Sequence, residues 1–220
     1  MKIIRVMCTG RVDASFMLRA FSNKMDGVFI GGCWLGECHY ITEGNHSAVA
    51  TMHVAKKVLK EIGLDPDRIR LESVGASEGT RYAEVVTDFI RQIRELGPLG
   101  AEQANGDSSL LKLKLKAAMN IVPYIRLVLT ERLRVRFKTR EEYDDFFATA
   151  EVDRLFKELI GEKLAMQEIL LLLKERPLST GEIADILELT PSEVSKYLGM
   201  AARQELTRFD EEQKRFALAR

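Results

Sequence analysis

Cysteine is scarce in this chain. Of 220 residues only Cys8, Cys33 and Cys38 carry a thiol, and the 182 residues after Cys38 contain none. That excludes a disulfide framework, and grouped cysteines in a reducing compartment point instead to a metal or redox site. Long apolar runs are missing too: none reaches the ~18 residues of a membrane span. The start, Met1-Lys2-Ile3-Ile4-Arg5, lacks the apolar core of a signal peptide, so the chain reads as cytoplasmic. Net charge is absent, with 33 Lys plus Arg against 33 Asp plus Glu and a pI near 6.9, which removes any global electrostatic case for nucleic acid or membrane binding. There is no Walker phosphate loop, no dinucleotide fingerprint, no Ser/His/Asp order and no paired-carboxylate signature. What is present, 46% hydrophobic and 30% charged residues, is ordinary for a globular protein of one large domain or two small ones.

The thiols mark the ends of apolar runs. Residues 2 to 7 and 27 to 32 read as buried strands and Arg70 to Val74 as a weaker third, with Cys8 following the first and Cys33 and Cys38 the second. Between and after them the spacing predicts helices: residues 14 to 23 capped by Asp13, His46 to Ile62 closed by Gly63, and Ser77 to Leu96 ended by Gly97-Pro98. This β-α-β-α-β-α order predicts a parallel sheet flanked by helices, with all three thiols at its carboxyl edge, where open α/β sheets place ligands. Gly31, Gly32 and Gly36 allow a tight loop. Any one cysteine could equally be a buried structural thiol. His46 and His53, seven apart, read as helix-surface residues. The sheet is small and starts one strand late, so an upstream unit or a partner is expected to complete it.

Residues 97 to 107 form a linker by composition. Beyond it a helix from Ser109 to about Thr130 is expected, interrupted or kinked by Pro123. The strict alternation of Arg132-Leu133-Arg134-Val135-Arg136-Phe137-Lys138 predicts a strand with one basic and one apolar face, followed by an acidic stretch over 141 to 147. The end of the chain has a winged helix-turn-helix pattern: helices over 164 to 176, from Ser179 to about Leu189 and from Thr190-Pro191 to about Glu205, then a hairpin-like tail over 206 to 218. From 165 to 220 there are eight Lys plus Arg against ten Asp plus Glu, which argues against nucleic acid and for a docking or packing module. The expected divisions are 1–100, 101–163 and 164–220.

Four motifs carry a resemblance: Met7-Cys8-Thr9-Gly10-Arg11-Val12-Asp13, Gly32-Cys33-Trp34-Leu35-Gly36-Glu37-Cys38-His39-Tyr40, Ala76-Ser77-Glu78-Gly79 and Glu95-Leu96-Gly97-Pro98-Leu99-Gly100. In combination they resemble the delta, iron-sulfur subunit of methyl-viologen-reducing hydrogenase (the MvhD family). The resemblance covers residues 3 to 100, and the carboxyl-terminal extension is more loosely similar to extended members. It implies a flavodoxin-like α/β fold lacking its first β-α unit, followed by a mainly helical, winged-helix-like domain. It also implies an electron-transfer subunit, not itself catalytic on an organic substrate. Such a protein relays electrons through a 2Fe-2S cluster between a hydrogenase, formate dehydrogenase or other redox module and a heterodisulfide-reductase-type flavin subunit.

Cys8, Cys33 and Cys38 fall on the family's ligand positions, with Gly10, Arg11, Gly32, Gly36 and His39 around them. Family members carry a further Cys-x-x-Cys unit upstream that this sequence lacks, so a fourth ligand is expected from His39, from upstream residues or from another protein of the complex. A mis-assigned start codon would explain the gap. The alternative reading is a redox- or metal-sensing transcriptional regulator acting through the winged helix.

Overall fold

The structure is a computed structural model that describes residues 1–41, 43–101 and 108–219. Helix α1 (Ala14–Ser22) starts where Asp13 accepts a hydrogen bond from the Ser15 amide. Strand β1 (Val28–Gly32) follows, then α2 (Gly44–Glu61), β2 (Ile69–Ser73) and α3 (Gly79–Leu96). β1 and β2 pair in parallel, Val28 opposite Ile69 and Gly32 opposite Ser73. Alternation then sorts the side chains. Val28, Ile30, Ile69 and Leu71 face the core that contains α1 and α2, and Phe29 meets Tyr82 and Phe89 of α3 on the opposite face. Gly63 and Gly97 end α2 and α3 at positive φ, as expected for glycine after a helix.

The α/β class and the parallel pairing agree with the sequence pattern, but the expected first strand does not form. Residues 2 to 7 have no ladder partner among the described residues, and Ile3, Ile4 and Met7 lie exposed. An apolar run specifies a segment that gains from burial; a strand additionally needs a neighbouring backbone to hydrogen-bond.

Downstream, α4 (Ser108–Asn120) and α5 (Val122–Glu131) break at Ile121, just before Pro123, as expected. Of the expected linker, residues 102–107 lie outside the described residues. The alternating segment 132 to 138 is a second correction. Leu133, Val135 and Phe137 do turn inward and Arg132, Arg134 and Arg136 outward, yet no strand pairs with it among the described residues. The acidic stretch after it becomes α6 (Arg140–Phe147), started by a Thr139–Glu142 capping box. Helix α7 (Ala150–Phe156) then passes through a π-helical stretch, Lys157–Gly161, into α8 (Glu162–Glu175). One continuous apolar cluster runs from Ala14 and the sheet through these helices to Leu171.

The carboxyl-terminal unit is a winged helix. α8, α9 (Thr180–Leu187) and α10 (Pro191–Arg203) pack around Ile169, Ile183, Val194 and Leu198. Capping boxes Ser179–Glu182 and Thr190–Glu193 start the last two helices. The hairpin of β3 (Thr207–Asp210) and β4 (Arg215–Leu218) is joined to the start of α9 by a bridge between Leu178 and Phe216. Among the described residues no helix is long and apolar enough to cross a membrane.

Candidate metal centre

Local sequence brings the three thiols together. Cys8 precedes a 3-10 turn, Thr9–Arg11, and its Sγ accepts a hydrogen bond from the Gly10 amide at 3.4 Å. Cys33 leaves the carboxyl end of β1, and the loop returns through buried Cys38 to the start of α2. Glycines make the approach possible. A Cβ on Gly10 would lie 2.7 Å from the Gly44 carbonyl oxygen, one on Gly32 would lie 2.9 Å from Thr9 Cγ2, and one on Gly44 would overlap the Cys38 sulfur. Gly36 serves the loop differently: φ is +88° and its Cβ direction is open.

Asn45 and Trp34 hold the loop. The Asn45 side-chain amide donates to the carbonyls of Trp34 (2.6 Å) and Cys33 (3.3 Å) and approaches Cys33 Sγ at 3.8 Å. Trp34 donates its indole N–H to Glu78 at 2.8 Å, and the Arg81 guanidinium stands 5.0 Å from its ring centre. Glu78 also accepts from the Gly75 amide, tying the loop to the start of α3. Sequence periodicity misses Asn45 because it begins α2 at His46, one residue too late to weigh an asparagine in the first turn.

The sulfurs titrate unequally. Burial pushes the Cys33 thiol up, and its hydrogen bond to Cys38 adds to this. Burial acts the same way on Cys38, but the amides of Asn45 and Tyr40 and the thiols of Cys33 and Cys8 outweigh it, leaving Cys38 below the ordinary thiol range. Cys38 therefore interacts with both other sulfurs.

Of the other residues singled out from sequence, Gly10 and Gly32 line the approach. Arg11 and His39 do not turn inward: both are exposed, and the His39 ring stands edge-on to Tyr40. His46 and His53 are not free on the surface either. Tyr143 meets His46 Nδ1 at 2.8 Å, and Phe147 stacks on His53 at 4.6 Å, because α6 covers that face of α2. Burial, with Arg140, Lys56 and Lys57 nearby, holds His53 down to about 3, so its 3.2 Å contact with Asp144 is not an ion pair at neutral pH.

The donors at this end of β1 are three free thiols, the side-chain type that ligates iron-sulfur centres. Among the described residues no three His, Cys, Asp or Glu side chains close around a single ion. Two buried polar atoms beside the thiols, Thr9 Oγ1 and Asn45 Oδ1, have no hydrogen-bond partner among the described residues, a cost that a site built for a ligand carries more readily than a packed core.

The family model described as methyl-viologen-reducing hydrogenase, delta subunit, matches residues 1–97. The iron-sulfur subunit of an F420-non-reducing hydrogenase from Archaeoglobus profundus is 47% identical over 102 residues, covering 46% of this chain and 74% of that protein. The chain belongs to this delta-subunit family. The equivalent hydrogenase iron-sulfur protein from Methanococcus voltae is 39% identical over 105 residues, 48% of this chain and 72% of that one. One component of a ferredoxin:CoB-CoM heterodisulfide reductase from Methanosarcina mazei is 44% identical over 101 residues, 46% of this chain but only 13% of that protein. A separate family model, bacterial regulatory protein of the arsR family, matches residues 165–200, the three helices of the winged unit. The delta-subunit match thus ends before α4, and the thiol residues all lie inside it.

Proposed function

We propose that this protein is an electron-transfer subunit of a multi-subunit redox complex, holding a 2Fe-2S cluster on Cys8, Cys33 and Cys38. The carrying observation is the meeting of three thiols at the carboxyl end of β1, with amide N–H groups directed at two of the sulfurs. Such donors stabilise thiolate charge and so favour ligation and set potential. When bound, the cluster supplies a one-electron redox couple. The chain's own residues do the rest. Gly10, Gly32 and Gly44 give room, Asn45 fixes the loop carbonyls, and Trp34 with Arg81 shields one side. Cys8 and Cys33 are half-exposed, which keeps the centre near the surface where a partner can approach.

The partners that fit this reading are a hydrogenase, formate dehydrogenase or other redox module on one side and a heterodisulfide-reductase-type flavin subunit on the other, in line with the names of the relatives. Three cysteines leave one of four ligand positions to another group. Anaerobic purification with iron and sulfide analysis, and electron paramagnetic resonance of the reduced protein, tests the proposal. Iron and sulfide in equal amounts with a reduced-state signal are expected; a native complex in which this protein contains no iron overturns it.

The winged unit and its arsR-family match favour a second reading, a redox-responsive regulator. The charges speak against it: Lys196 of α10 is engaged by Glu162, and the end of β3 and the turn after it carry Asp210, Glu211 and Glu212 where a wing would meet phosphate. Salt-dependent DNA binding by the full chain would establish the regulator, and its absence at low salt removes it.

A further inference from the structure

A cavity of about 170 Å³ opens where the thiol-bearing unit meets the helical extension. Asp13, Glu43 and His46 enter it from one side, and Arg126, Arg134 and Arg136 from the other. We propose that this seam is a binding site for a compact oxyanion of the phosphate or short-carboxylate class.

The charges select the sign of the ligand. Asp13 is held by Arg126 in a two-pronged ion pair at 2.6 and 3.0 Å and also caps α1. Glu43 is engaged by Arg134 and by the Ser47 hydroxyl. A cation entering the cavity therefore meets no uncommitted carboxylate. An anion meets the Arg136 guanidinium, which has no carboxylate or hydrogen-bond partner among the described residues, together with the similarly unengaged Thr51 hydroxyl. Three guanidinium groups against two carboxylates leave the lining one charge positive with His46 neutral. Burial first and Arg136 second lower the His46 pKa, so the Arg136 charge is felt inside the seam.

Size narrows the class. At about 170 Å³ the cavity has room for several waters, enough for orthophosphate or a three-carbon dicarboxylate. The planar arginine fork matches such oxyanions two bonds at a time. The site needs both parts of the chain. Its acidic residues and His46 lie within the delta-subunit match, and all three arginines lie in the extension beyond it. It is thus independent of the cluster reading.

Calorimetric titration of the full chain with inorganic phosphate, and separately with malonate, tests the proposal, and the tighter of the two identifies the anion class. Saturable one-to-one binding is expected, weakened about tenfold or more in Arg136→Ala, equivalent to about 1.4 kcal/mol. Arg136→Lys should fall between, and Arg208→Ala on the distant hairpin should bind like the wild type. Because Arg136 is exposed and unpaired, Arg136→Ala should keep the wild-type unfolding temperature and iron content. Failure of both anions to saturate overturns the proposal, as does equal binding by Arg136→Ala or equal weakening by Arg208→Ala.

Discussion

A Cβ at Gly44 would overlap the Cys38 sulfur, and φ there is +30°, so both space and backbone demand glycine. At Gly36 only the backbone does, since φ is +88° and nothing among the described residues lies within 4 Å of the Cβ position. The two substitutions therefore separate strain from pocket geometry. Gly36→Ala should cost about 1 kcal/mol of stability while keeping full iron content. Gly44→Ala should lose most of the iron, because either Cys38 or the first turn of α2 must move. Iron per chain alongside urea unfolding reads both, and equal iron in the two variants would sink the distinction. Asn45 gives a second test at this scale. Asn45→Asp replaces the amide that binds two loop carbonyls with an acceptor and sets a negative charge beside Cys33. It should hold less iron than Asn45→Ala, and the reverse order would show that Asn45 does not position the loop through its N–H groups.

Among the elements, α3 depends on a residue from another part of the chain. Arg68, fully buried in the 3-10 turn before β2, donates to the carbonyls of Leu96 (3.2 Å), Gly97 (3.0 Å) and Pro98 (3.1 Å) at the end of α3 and to Asp26 (2.9 Å) before β1. Arg68→Met leaves four partly buried carbonyl acceptors without their donor and should cost about 3 kcal/mol, measured by urea unfolding. Arg68→Lys should recover only part, because an ammonium cannot span the fork. Nothing in the local sequence marks Arg68, since its acceptors lie about 30 and 40 positions away. The helices contrast with it. α1, α2, α3, α9 and α10 are readable because their caps and glycines are local signals. β1 and β2 are readable as apolar runs. Residues 2 to 7 and 132 to 138 carry the pattern of strands but have no ladder partners among the described residues, and pairing is not a local property. The thiol positions were legible as motifs, whereas Asn45 and the Gly44 contact emerge only when two loops meet.

Across the whole molecule, α8 is the common wall of both apolar cores: Leu164 and Leu171 belong to the first, and Ile169, Leu172 and Leu173 to the second. Glu168 lies on this helix and is buried, at 6% exposure. Burial raises its pKa from 4.5 to about 7, with Glu61 of α2 adding to the rise and Lys114 of α4 opposing it. The sign follows from proton uptake. Below pH 4.5 the carboxyl is neutral folded or unfolded and costs nothing. Between 4.5 and about 7 the unfolded chain releases the proton while the folded chain keeps it, so stability falls as pH rises and levels off above the folded value. A shift of this size corresponds to about 3 kcal/mol across the window. Glu168→Gln removes the titration and keeps the shape. Its urea-unfolding stability should therefore exceed that of the wild type at pH 8, and the gap should shrink toward pH 5 as the wild-type carboxyl becomes protonated in both states. A constant difference between the two proteins from pH 5 to 8 would mean that Glu168 is already ionised in the fold. Lys114 would then be its effective partner, and the junction between the two cores would carry an ion pair in place of a neutral acid.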